Sequence, residues 1–131
     1  MKSDKLNIPD AFNNNVSGII KTQIESLNEH SSVLYTVIEN KCNVKRKVVN
    51  YKLTEEELID EINHLIGEEC MDIRTLRNIK KGNMFNKTFN VMVIIYVLNY
   101  ITNKVNVCYG KTVVNPIVLN DILNVFEKIE K

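Results

Sequence analysis

Residues 88–101 read TFNVMVIIYVLNYI. The stretch has no charged side chain, and its apolar residues fall nearly all round a helix rather than on one stripe. That pattern marks a central, buried helix. Thr88 is placed to cap it, and Phe89, Met92, Val93, Ile95, Tyr96 and Ile101 are expected in the core. The longest apolar run, Val91 to Leu98, is too short to span a bilayer. No membrane partner is therefore expected.

The flanking segments supply amphipathic helices to cover such a centre. Leu58, Ile59, Ile62, Leu65 and Ile66 recur at helical spacing behind Thr54 and Glu57, which form a capping box. Gly67 is expected to close that helix in a left-handed conformation. Asp72 caps the next one, whose inner face is Ile73, Leu76 and Ile79 and whose terminator is Gly82. Val16, Ile19, Ile20, Ile24 and Leu27 define an N-terminal helix that Val33, Leu34, Val37 and Ile38 continue. Whether residues 11–43 make one helix or two stays open, with a break at Asn28 to Ser32 slightly favoured. Residues 1–10 read as a mobile arm. Val44, Val48, Val49 and Tyr51 suit a short strand or a basic loop. Val105 to Val114 alternates around Gly110 and suits a small hairpin. Asn115 and Pro116 are expected to open a C-terminal helix over 115–131, with Ile117, Leu119, Ile122, Leu123, Phe126 and Ile129 on its apolar side.

The chain has 131 residues, 44% apolar and 25% charged, with two Pro and four Gly. Length bounds it to one domain with one core. Scarce turn markers favour helices. The expected fold class is therefore all-α, a compact bundle of five or six helices with at most one small β-hairpin. The N-terminus lacks the apolar h-region of a secretory signal. Cys42, Cys70 and Cys108 are scattered and read as reduced, mostly packed thiols, so a cytoplasmic location is expected. His30 and His64 lack the spacing of a zinc site or a triad. YGKT at 109–112 lacks the upstream glycine of a phosphate loop. No enzyme, metal or cofactor is expected.

Charge is arranged in blocks. Residues 41–53 hold five cations and no acid, 54–72 hold eight acids and no Lys or Arg, and 73–112 hold seven cations and no acid. Within DIRTLRNIKKG, 72–82, helical spacing sets Arg74, Arg77 and Lys81 opposite Leu76 and Ile79. Arg can pair doubly with guanine and Asn with adenine, while Lys neutralises phosphate.

On LTEEEL, DIRTLRNIKKG and KTFNVMVIIYVL, the chain resembles the phage-repressor (XRE-type) helix-turn-helix family over roughly residues 33–101. Asp72, Thr75, Leu76, Ile79 and Gly82 occupy the pattern positions of its recognition helix. Glu55 stands where the family usually has Gln, Ile59 where it prefers Ala, and Lys80 where it usually has Glu. The resemblance implies a DNA-binding regulator of a mobile element or low-GC bacterium. It makes Arg74, Thr75, Arg77 and Asn78 base-facing and places Lys81, Asn83 and Lys87 on phosphates of double-stranded DNA. Leu58, Ile62, Leu76, Ile79 and Met92 would form its small core. A homodimer is expected, joined through residues 11–28 or 116–130, because one recognition helix reads only a few base pairs. The alternative is an all-helical protein-interaction module, such as a viral Bcl-2-like host modulator binding a partner helix. In that reading the cations of 73–82 pair with the acids of 54–72.

Overall fold

The computed structural model describes residues 10–39, 51–67, 70–82, 88–118 and 120. They form five helices: α1 Asp10–Asn28, α2 Ser31–Glu39, α3 Glu55–Ile66, α4 Ile73–Lys80 and α5 Thr88–Tyr109. No strand occurs among them, so the described part of the chain is all-α.

The N-terminal region is two helices, parted by a turn at Glu29 and His30. Val16, Ile20, Gln23 and Leu27 repeat at offsets of four, three and four, and all four are buried. These residues of α1 face into the bundle, with Ile19 and Ile24 partly buried beside them. The His30 ring meets the Tyr109 ring edge-on at 5.1 Å, and its Nδ1 lies 3.2 Å from the Tyr109 hydroxyl. This pair fastens the turn to the far end of α5.

The capping box of α3 is present. Thr54 Oγ1 accepts from the Glu57 amide at 3.1 Å, and the Glu57 carboxylate accepts from the Thr54 amide at 3.1 Å. Gly67 ends the helix at φ 153° and ψ 159°, an extended positive-φ region that side chains avoid, rather than the left-handed one. Leu58, Ile59 and Ile62 are buried, whereas Ile66 at the last turn is exposed. The side-chain amide of Asn63 pairs with both backbone groups of Met71, tying the connection to α3 just before α4 starts. Asp72 caps α4 by accepting from the Thr75 amide at 2.8 Å. Leu76 and Ile79 are completely buried, and Gly82 follows at φ 87°.

Helix α5 packs against α1, α2 and α3, while α4 packs against α1 and α3. Val91, Val93, Ile94, Ile95, Val97, Leu98, Ile101 and Val105 are buried along α5. Phe89 and Tyr96, expected in the core, instead point outward, and Met92 is only partly buried. Phe89 to Tyr109 is also long and apolar enough to cross a bilayer, at mean hydropathy 1.4, though half of it is buried in the bundle.

The hairpin expected over Val105 to Val114 does not form. Residues 105–109 complete α5, Gly110 turns the chain at φ 71°, and residues 113–117 return along the helix without helical or strand pairing. Asparagine explains the difference. Asn106 Oδ1 accepts from the amides of Val113 and Val114, and its Nδ2 donates to the Val114 carbonyl. Asn99 does the same for Ile117, at 2.8 and 3.0 Å. Buried Gln23 donates to Thr102 Oγ1 and to the Asn115 carbonyl, both at 2.9 Å. Side-chain amides thus supply the donors and acceptors that a second strand would supply. Residues 115–118, Pro116 included, are not helical. The first nine residues of the expected arm, the stretch Val44 to Val49 and residues 121–131 lie outside the described residues, Asp10 already belongs to α1, and Tyr51 is in irregular chain. Cys108 is exposed and Cys70 half-buried, so neither is a fully packed thiol.

Replacing Ile94 by Ala should cost about 2–5 kcal/mol of stability, whereas Tyr96→Ala should cost less than about 0.5 kcal/mol as a surface change. Urea unfolding of both variants checks this, and equal losses would contradict the packing of α5.

Candidate functional site

Two surfaces are candidates: the cationic outer side of α4 and the outward face of α5. On α4, inward Leu76 and Ile79 leave Arg74, Arg77, Asn78 and Lys81 exposed. Thr75 is half-buried, and its amide is engaged by the Asp72 cap. Asn83 and Lys87 lie outside the described residues.

The exposed group divides in two. Arg77 Nε donates to Glu55 Oε1 at 2.8 Å, and Lys80 Nζ donates to Glu55 Oε2 at 3.2 Å. A second guanidinium nitrogen of Arg77 lies 3.9 Å from Glu56. Glu55 therefore bridges both cations from the first turn of α3. The contact joins the N-terminus of α3 to the C-terminal turn of α4, where helix dipoles favour an acid and cations respectively. The hydrogen bond to Arg77 is the main cause holding the Glu55 carboxyl below its ordinary value; partial burial opposes it, and Lys80 adds to it. The same bond raises Arg77. The backbone amide of Thr75 is the main cause lowering Asp72.

Arg77, expected to face bases, is thus bound sideways to an acid. Arg74, Asn78 and Lys81 remain together on the outer side. The hydroxyl of Ser17 donates to the Lys80 carbonyl, so α4 is also held to α1. An open cavity of about 300 Å³ lies beyond its N-terminus, lined by Asn63, Cys70, Met71, Asp72, Thr75 and Asn90. Among the described residues, no cluster of three or more His, Cys, Asp or Glu side chains could hold a metal.

Sequence reasoning missed the second surface. Phe89 is 68% exposed, Tyr96 57% and Val107 70%. Helical periodicity places all three within about 20° of one line along α5, with half-buried Tyr100 on the same line. Lys104 Nζ lies 5.0 Å from the Tyr100 ring centre, in cation–π contact. Aromatic spacing of seven and four residues was the available signal, but an all-round apolar helix hides which side stays uncovered. No family model, curated protein or solved structure matches the chain.

Glu55 contributes stability that is complete above its unfolded-state pKa and lost as pH falls through its lower folded-state pKa. Urea-derived stability across the acid range should therefore decline less steeply in Glu55→Gln than in the wild type. Parallel pH curves would show that the bridge does not couple to folding.

Proposed function

We propose that this chain is a non-enzymatic helical module that works by docking another protein molecule on the outward face of α5. The outward line of exposed Phe89 and Tyr96 and half-buried Tyr100, continued by exposed Val107, carries this reading. Large aromatic side chains supply much contact area at little entropic cost, and they are enriched where proteins meet. From Thr88 to Tyr109 there is no acid and a single cation, Lys104. Depletion of charge is the compositional signal of an interface centre. A bundle organised around one apolar helix is also what a Bcl-2-like interaction module would require.

One observation favours a second reading, duplex DNA binding through α4. Arg74, Asn78 and Lys81 share its outer side and are suited to base edges and phosphates. Against it, Glu55 and Glu56 border that side and take up Arg77. In this reading Arg77 positions α4 instead of contacting bases.

Photo-crosslinking separates the two. A benzoylphenylalanine at position 96 should yield a discrete protein adduct in cells, lost when Phe89→Ser is added. The same group at position 78 should yield none. Adducts from position 78 alone, or none from 96, would overturn the docking reading. In parallel, fluorescence anisotropy with a labelled mixed-sequence duplex should show no binding at low salt. Binding that weakens steeply with added salt would transfer the function to α4.

A further inference from the structure

We infer that the molecule docking on α5 is a second copy of this chain, with the two α5 helices antiparallel. The inference rests on the reading of α5 as a docking surface and specifies its occupant. A two-fold interface must be self-complementary, and the outward aromatic and apolar residues of α5 pair off about Leu98, with exposed Asn103, whose counterpart Val93 is buried, bordering them. Phe89 and Val107 lie nine residues to either side, Met92 and Lys104 six, and Tyr96 and Tyr100 two. With about 100° per residue, the members of each pair stand at mirror angles from the middle of the face, and Phe89 and Val107 stand on its midline. A two-fold axis at the level of Leu98 sets Phe89 opposite Val107 of the partner subunit. It sets Tyr96 beside Tyr100 of the partner subunit, giving four tyrosines at the centre with an apolar contact at each end.

Charge selects the antiparallel arrangement. Lys104 is the one charged residue of α5. An antiparallel pair separates the two ammonium groups by about 18 Å along the axis, well beyond a physiological Debye length of about 8 Å. A parallel pair would bring them side by side across an apolar seam. The area sets the strength. From the exposures of Phe89, Tyr96 and Val107, with parts of Met92, Tyr100 and Lys104, the face offers roughly 500 Å² per copy. The total of roughly 1,000 Å² meets the lower limit for a specific interface. The dimer is accordingly weak and reversible, with a Kd on the order of tens of micromolar for so small an area.

Sedimentation velocity of the full chain from about 1 to about 300 µM brackets that range and should show a monomer–dimer equilibrium. Tyr96→Asp and Phe89→Ser, each at an exposed site, should raise the Kd at least about tenfold without altering far-UV circular dichroism. Exposed Cys108 reports orientation. With Cys42→Ser and Cys70→Ser, spin labels on Cys108 should lie about 30 Å apart along an antiparallel pair and near about 10 Å in a parallel one. A monomer throughout, a dimer insensitive to both substitutions, or the short distance would each overturn the inference. A monomer that still gives a foreign-protein adduct from position 96 would leave α5 as a docking surface for a different partner. Absence of any adduct would remove the docking reading itself.

Discussion

Covering α5 is the constraint on which the rest of the molecule depends. Eight of its aliphatic side chains are almost or completely buried, and at roughly 25 cal/mol per Å² their removal from water is the largest stabilising term available to so short a chain. Helices α1, α2 and α3 pack directly on it, and α4 closes the bundle from outside by bridging α1 and α3. The same constraint shapes the polar residues. A chain returning along a buried helix must satisfy its backbone groups, and Asn99 and Asn106 of α5 and buried Gln23 of α1 do this.

The charge blocks follow from a second constraint. Acids at the first turn of α3 and cations at the last turn of α4 are each favoured by their own helix, and the packing of these two helices brings them together. Glu55 accepts from Arg77 and Lys80 at once, so it fixes how α4 lies on α3. Exposed ion pairs contribute little stability, and Arg77 is half-exposed. The effect of this bridge is orientation: it turns Arg77 along the surface and leaves Arg74, Asn78 and Lys81 facing outward.

What remains uncovered on α5 is the part of the molecule without an internal explanation. Aromatic side chains in water gain by finding a partner. The symmetry of their spacing about Leu98 makes another α5 a fitting one. A weak self-association of this kind would also let a different protein compete for the same face, since a small interface is readily exchanged.

Local chemistry was sufficient for much of the fold. The capping box of Thr54 and Glu57, the Asp72 cap, Gly82 as terminator and the inward set Leu58, Ile62, Leu76 and Ile79 all stand where sequence spacing places them, because caps and helical stripes depend on residues a few positions apart. The all-α class follows from the same periodicity. Three features needed the tertiary structure. Phe89 and Tyr96 are exposed because neighbouring helices cover only one side of an all-round apolar helix, and its sequence does not say which. Arg77 meets Glu55 because α4 folds back across α3, a contact spanning 22 residues. The stretch from Val105 to Val114 forms a helix end and a strap, not a hairpin, because Asn99 and Asn106 lie on the side of α5 where the chain returns. Short-range order is written in neighbouring residues; partnership between distant ones is decided only when the helices pack.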